Sequence, residues 1–376
     1  MTENELIKFF NHLGDEPADA LLRPTSAAGT ELARALRERG RNDEEIPNAP
    51  DLMENWTNLP PWADPTGIRA AQEFFYRSGA RILPIILCAV LPRGYALGGR
   101  SAGASRGKAE AARCLRDNVQ FLIDVLTPES WTHRGRGIRS LQRLRLLHAL
   151  ARINPGDEFP AARSQADLAA HLAAYCVLPI ESLEKLGTPV SSMEAAAYTH
   201  FWNVVGHLLG LHPRLRFKSP EAAAAYLRAY EEHAPSSTDT SSTEESPRAL
   251  LDYMNALLPE GMTSLPEAFL ILLMGETRAA ELGVSPRSPG LSPPLLDAGT
   301  WLHRMGAGGN QTGLILERTG RALLDGLRLS SADEKPPTRA EAFALPPILA
   351  GGWKVNSTRR LKRRLRRFTK AAASKS

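Results

Sequence analysis

Apolar residues, mainly alanine and leucine, recur at helical spacing along most of the chain. Almost no stretch shows the alternating pattern, rich in valine, isoleucine and threonine, that is typical of strands. Two segments, SQADL and SPEAAAAYL, carry helix start signals, a serine followed by an acidic residue. We therefore predict an all-α protein with helices at 4–13, 30–39, 65–79, 82–90, 108–126, 137–153, 164–176, 191–211, 220–232, 246–258, 265–275 and 313–327.

The helical pattern divides the chain into a body and two arms. Residues 1–55 are predicted to form an N-terminal helical arm, residues 56–330 the main body, and residues 331–376 a C-terminal arm with a basic tail. A Ser/Thr-rich polar tract within 234–247 predicts a flexible loop inside the body.

Composition indicates a globular protein of the cytoplasm. The chain has 376 residues, and its hydrophobic fraction of 43% is ample for a core. Its three cysteines have no CxxC spacing, which argues against a disulfide framework. The N-terminus lacks the features of a secretory signal. The most apolar run, 80–92, contains a proline and is shorter than the roughly 20 residues that span a bilayer. We interpret it as a buried helix.

The basic tail accounts for more than the whole net charge of +5. Nine basic and no acidic residues lie between Lys354 and Lys370. If the tail is helical, Leu361, Leu365 and Phe368 form a narrow apolar stripe on a cationic surface. The tail therefore suits an anionic membrane surface at the periphery of the protein, or it is a solvated segment. No specific nucleic-acid partner is expected.

The chain contains no HExxH, P-loop or GxSxG motif. The sequence therefore does not indicate a metalloprotease, a P-loop nucleotide-binding protein or an α/β-hydrolase. The candidate chemistry lies in RLRLLHALAR, where Arg145 and Arg152 share a helical face with His148 and apolar residues. Two cations disfavour a bare divalent metal beside the histidine. Haem fits better, because its carboxylates can pair with arginines and its iron binds a neutral imidazole.

An ordinary buried histidine remains the alternative for this position. His200 and His207 share a face of another apolar helix. His200 could supply a second axial ligand or a polar group at the haem edge, or it could simply pack. Trp62 and Trp202 are interpreted as core or interface aromatics.

Three stretches of the chain resemble the bacterial latex-clearing proteins, or rubber oxygenases, and the related mpaB-type oxygenase of the mycophenolic acid pathway. The first is LPPWADPTGIRAAQEFFYRSGARILPIILCAVLPRGYALGG at 59–99, the second is RLRLLHALAR, and the third is AAYTHFWNVVGHLLGLHP at 196–213. The resemblance implies a globin-like haem-binding core with extra helices. It also implies that His148 is the proximal ligand of haem b, supported by Arg145 and Arg152.

The sequence departs from the family on the distal side of the implied haem. Asp117 and Asn118 stand where rubber oxygenases carry a lysine and a threonine, and no acid lies near Gly98 and Gly99, where spacing places the catalytic glutamate. The remaining candidates for a catalytic group are on the same helix, namely Arg113, Arg116 and Asp117.

Two functions from different classes follow. The first is a haem b-dependent oxygenase that uses dioxygen on a small lipophilic, unsaturated substrate. The second is a non-catalytic haem- or lipophile-binding protein attached to a membrane by its basic tail.

Overall fold

The computed structural model describes residues 2–23, 27–39, 58–93, 108–131, 135–154, 164–233, 240–259, 262–284, 310–333, 349 and 353. Every regular element in these ranges is helical, which confirms the all-α prediction. The helices are α1 Glu3–Phe10, α2 Glu16–Leu22, α3 Ala27–Arg39, α4 Pro65–Ile85, α5 Lys108–Leu126, α6 Arg136–Ile153, α7 Gln165–Lys185, α8 Ser192–Leu208, α9 Pro220–His233, α10 Thr240–Leu257, α11 Leu265–Met274, α12 Glu276–Glu281 and α13 Asn310–Asp333. Short 3-10 turns occupy Pro128–Trp131 and Pro213–Leu215.

Helix α4 begins at a strong N-cap and runs through a proline. The Asp64 carboxylate accepts hydrogen bonds from the backbone N–H groups of Thr66 and Gly67. Pro84 removes one backbone donor, and the chain continues directly into a π-turn at Ile86–Val90. The predicted break between helices at 79 and 82 is therefore wrong: burial on nearly all sides keeps this segment helical.

The continuous helical run Pro65–Arg93 is, among the described residues, the one segment long and apolar enough to cross a membrane. In this fold 83% of its most apolar stretch is buried inside the protein. The run therefore has the environment of a core helix.

The main hydrophobic core brings together α4, α7, α8 and their neighbours. Helix α8 starts with a capping box in which Ser191 and Glu194 bond each other's backbone N–H groups. Its inner face buries Tyr198, Phe201 and Trp202, and Trp202 is only 1% exposed. The interpretation of Trp202 as a core aromatic is confirmed.

The N-terminal arm packs onto the body in two places. Ile7 and Phe10 of α1 join the main core. Helix α2, absent from the predicted helices, forms a second smaller core with α3 and one face of α6, to which Ala18 and Leu22 contribute.

Other boundaries also differ from the predictions. Helix α10 begins at Thr240, inside the tract predicted as a flexible loop, and α7 continues past Pro179 to Lys185. Within the C-terminal arm Trp353 is 3% exposed, packs against Phe75 and donates its indole N–H to the Tyr76 carbonyl at 2.7 Å. The basic tail beyond it lies outside the described residues.

Candidate functional site

Helix α6 carries the histidine singled out from the sequence and separates the two cores. Leu146 and Leu150 face the smaller core, whereas Leu141 and Leu144 face the main one. At about 100° per residue His148 projects on the same side as Leu141 and Leu144. The imidazole is therefore placed among apolar side chains, and the residue is 9% exposed.

The His148 imidazole is neutral at physiological pH. Burial, together with the positive charge of Arg152 and the neighbouring His171, lowers the pKa of His148 to about 3. Within the described residues Nδ1 of His148 is buried without a hydrogen-bond partner. An unsatisfied buried polar atom costs roughly 1–3 kcal/mol and is uncommon in folded proteins, so this nitrogen points to an additional ligand or water.

The two arginines that flank His148 are paired with aspartates of the N-terminal arm. Arg145 binds Asp15 through two hydrogen bonds, Nε to Oδ2 at 2.5 Å and Nη2 to Oδ1 at 2.9 Å. Arg152 binds Asp19, with Nη2 at 2.7 Å from Oδ1. Both pairs are largely buried, at 10% and 5% exposure for the first and 13% and 14% for the second. The sequence predicted the arginines but not these carboxylate partners.

The loop after α8 closes over the Arg145–Asp15 pair. Gly210 has a left-handed φ of +82°, and a Cβ there would lie 2.2 Å from an Asp15 carboxylate oxygen. Gln165 fixes the same region, because its side-chain amide donates to the carbonyls of Gly14 and Gly210 at 3.1 and 3.0 Å. Only glycine at 210 therefore permits this close approach.

His171 is a neighbour of His148 that the sequence did not single out. Its Nδ1 lies 2.7 Å from the Asp167 carbonyl, one turn earlier on α7. This contact orients the ring, and Nε2 is the ring nitrogen that Asp167 does not engage. The only sequence signal for His171 is its position on an apolar helix, which many packing histidines share.

His200 belongs to a different group of side chains. Its Nε2 accepts a hydrogen bond from the backbone N–H of Asp64 at 2.9 Å, and its ring packs edge-on against Trp62. The guanidinium of Arg216 lies 4.4 Å from the Trp62 ring centre, and His207 contacts the same ring. Burial lowers the pKa of His200. These contacts give His200 a structural role at the start of α4, and its part in cofactor binding stays a prediction.

Helix α5 carries the remaining candidates. Arg116 is half-buried and Asp117 is exposed, whereas the Arg113 side chain lies outside the described part of the structure. Asn118 accepts a hydrogen bond from the Tyr175 hydroxyl at 3.0 Å, which ties α5 to α7. Asp124 is 4% exposed and accepts a hydrogen bond from Ser140 of α6. It is a buried carboxylate that the sequence did not predict, and it fixes α6 against α5.

Metal-ligand clusters of three or more His, Cys, Asp or Glu side chains do not occur among the described residues. The geometry thus consists of one neutral, apolar-faced histidine, two arginines with carboxylate partners, and a polar helix α5 held against the histidine helix.

Comparison with known proteins places this arrangement in a family. The family model described as "ER-bound oxygenase mpaB/B'/Rubber oxygenase, catalytic domain" matches residues 86–373. The chain belongs to this family. The matched segment contains helices α5 to α13 and therefore His148. The part of the chain that belongs to this oxygenase family thus includes the candidate histidine.

Two relatives support the assignment. The chain is 23% identical over 335 residues to the rubber oxygenase of Streptomyces sp. (strain K30), covering 82% of this chain and 73% of that protein. Its fold is similar to the structure of latex clearing protein LCP in the closed state, with a TM-score of 0.60, 20% sequence identity, and coverage of 84% of this chain and 90% of that one. The resemblance inferred from the sequence motifs is therefore confirmed.

Proposed function

We propose that this chain is a haem b-dependent oxygenase in which His148 is the axial ligand and a small lipophilic, unsaturated substrate reacts with dioxygen. The observation that carries the proposal is a buried, neutral imidazole whose Nδ1 has no hydrogen-bond partner among the described residues. When bound, haem would supply the activation of dioxygen, which no side chain can provide.

The histidine fits an iron ligand on three grounds. Its pKa keeps it deprotonated, and only the neutral imidazole has a lone pair to give. Its helical face is apolar, with Leu141 and Leu144, as a macrocycle requires. A second histidine, His171 of α7, lies near enough to lower its pKa as well and so favours the neutral imidazole.

Because both arginines are already paired with aspartates, they fit a role in orienting His148 or lowering its pKa better than the direct haem contact that the sequence predicted. Arg152 lowers the pKa of His148 and so helps to keep it neutral, and Asp19 holds that guanidinium in place. Arg145 is held by Asp15 in the same way. A haem carboxylate reaching either guanidinium would have to share it with an aspartate. We therefore propose that both arginines position and tune the histidine helix.

On the other side of the site, α5 would supply the catalytic group. Of its two described candidates, Arg116 is half-buried and Asp117 is exposed, so we propose Arg116 as the group better placed to act away from water. Arg113 stays a candidate by its position on the same helix. Attachment to an anionic membrane through the tail, and residence in the cytoplasm, also stay proposals.

The first experiment measures the absorption spectrum of the haem-reconstituted protein, reduced with dithionite, before and after carbon monoxide. We compare His148→Phe, which keeps the ring volume, with His233→Phe, an exposed histidine at the end of α9. The proposal expects a Soret band that shifts on carbon monoxide in the wild type and the control variant, and that is lost or strongly altered in His148→Phe. An unchanged spectrum in His148→Phe would show that another residue binds the iron.

A second experiment separates the oxygenase from a non-catalytic binding protein. Oxygen consumption is followed with an unsaturated hydrocarbon such as squalene and with its saturated analogue squalane. An oxygenase consumes oxygen with the unsaturated compound only, and Arg116→Gln lowers the rate without loss of the Soret band. A protein that binds haem but consumes no oxygen with either compound would support the second function.

A further inference from the structure

A charged cavity lies away from the His148 site, between the π-turn after α4 and helices α7, α9, α11 and α12. Its volume is about 210 Å³. No residue of α6 lines it. Three arginines and two glutamates meet at its wall, Arg93, Arg228, Arg278, Glu181 and Glu231. We call it the arginine cavity.

One glutamate in the cavity neutralises two of the arginines in part. Glu231 is 6% exposed and forms ion pairs with Arg93, which is 11% exposed, and with Arg278, whose Nη2 lies 2.9 Å from Oε2. A single carboxylate therefore serves two guanidinium groups, and both the carboxylate and Arg93 are removed from water. Burial and the nearby Arg278 charge lower the pKa of Arg93 to about 10.

Arg228 is the third guanidinium of the lining; the residue is exposed, and among the described residues no hydrogen bond or close ion pair engages it. The Arg228 charge lowers the pKa of Glu181 through space, but within the described residues the two side chains form no hydrogen bond or close ion pair. Burial raises the pKa of Glu181 above its usual range, which disfavours the anionic form of that carboxyl. The cavity therefore has an excess of at least one positive charge.

Apart from Ser182, the rest of the wall is apolar. Val177, Leu227 and Met274 line the cavity together with Ala89, Leu178 and Leu273. A wall that is positive in one part and apolar in another selects a ligand with one negative charge and a short hydrocarbon part. A dianion such as phosphate is disfavoured because the Glu231 carboxylate would repel its second charge and the apolar part of the wall offers it no partner.

The size of the cavity sets the size of the ligand. A volume of about 210 Å³ is below the roughly 300–1,000 Å³ of pockets that hold drug-sized ligands. We propose that the arginine cavity is a second ligand site that binds a small aliphatic monocarboxylate, with the carboxylate against Arg228 and the hydrocarbon against Leu227 and Met274.

The test is isothermal titration calorimetry of the full chain with butyrate, with its neutral analogue butyramide, and with inorganic phosphate. The variants are Arg228→Gln and, as a matched control, Arg69→Gln. Arg69 is also exposed and lies 24 residues before Arg93 in the same helical run, roughly 36 Å away along the axis. His148→Phe is added so that the result does not depend on the haem proposal.

The proposal expects saturable binding of butyrate to the wild type, to Arg69→Gln and to His148→Phe. Arg228→Gln should bind at least about tenfold more weakly, as for the loss of a charge-assisted hydrogen bond. Butyramide and phosphate should bind much more weakly than butyrate. The proposal is overturned if butyrate does not bind, if Arg228→Gln binds it equally, or if butyramide or phosphate binds as tightly. In those cases the charges form only a structural ion-pair network between α9 and α12.

Discussion

Replacing Asp15 by asparagine removes the negative charge from the pair with Arg145 while keeping the shape of the side chain. The two residues are 5% and 10% exposed, so the guanidinium left behind cannot recover its hydration without opening the structure. At an effective dielectric constant of about 20, unit charges 4 Å apart attract by roughly 4 kcal/mol. Measured one-sided losses of buried pairs fall at about 3–5 kcal/mol. We expect Asp15→Asn to lower the free energy of unfolding by about 3 kcal/mol or more.

A neighbouring pair in the same segment provides the control. Glu16 pairs with Arg23 at 2.8 Å, but the two side chains are 71% and 50% exposed. Such surface pairs contribute about 0–1 kcal/mol, so Glu16→Gln should change stability by no more than that. Asp15 makes no side-chain capping bond to α2, so loss of a helix cap does not add to its effect.

The assay is guanidinium chloride unfolding followed by circular dichroism and by tryptophan fluorescence, with coincident transitions as the criterion for a single unfolding step. The double variant Asp15→Asn/Arg145→Met should recover part of the loss, because the orphaned charge is gone. If Asp15→Asn costs less than about 1 kcal/mol, or no more than Glu16→Gln, then the pair does not hold the N-terminal arm on α6.

Three further changes test other parts of the structure. The pKa of His148 is below that of an unfolded histidine near 6.5, so the unfolded chain takes up a proton as the pH is lowered and the folded protein loses stability. Between pH 7.5 and pH 5.5 this loss should be roughly 1.4 kcal/mol, and it should be absent in His148→Phe. Unfolding measured at both pH values tests this. An equal pH dependence in both proteins would contradict a buried neutral imidazole. Trp353→Ala should cost about 3–5 kcal/mol, and Trp353→Phe about 1 kcal/mol from its lost hydrogen bond; a change near zero for both would remove Trp353 from the core. His200→Phe leaves the Asp64 backbone N–H without its acceptor and should cost about 1–2 kcal/mol while the Soret band of the reconstituted protein is unchanged; a lost Soret band would instead make His200 a ligand.

Local periodicity was sufficient to predict most of the helices, and the resemblance of three sequence stretches was sufficient to predict the family. Helices α5, α6 and α9 begin within one residue of their predicted starts, because apolar residues recur at helical spacing in each of these segments. The long helix α4 was predicted as two helices, 65–79 and 82–90, whereas the structure has one helix that continues through Gly79 and Pro84. A Cβ at 79 would lie 2.3 Å from the Trp353 ring, so Gly79 is required by packing against a residue 274 positions later. No local pattern carries that information.

The candidate site shows the same limit. The position of His148 between two arginines could be predicted from spacing on one helix. Asp15 and Asp19 could not, because they reach α6 across about 130 residues of sequence and lie on a helix of only seven residues. Such a short helix has little stability of its own, and its burial of Ala18 and Leu22 against α6 holds it in place. Its carboxylates became partners only through tertiary packing.

This dependence has a consequence for the proposed oxygenase. Burial is the main cause of the low pKa of His148, and the charge of Arg152 adds to it. Arg152 is held by Asp19 of the N-terminal arm, which lies before residue 86, where the family match begins. Removing Asp19 would free Arg152 to move, and the histidine pKa would then rise or fall with the new position of that guanidinium. The arm is therefore part of the electrostatic environment of the candidate site. The segment matched by the family model does not contain all the residues that influence the protonation state of His148.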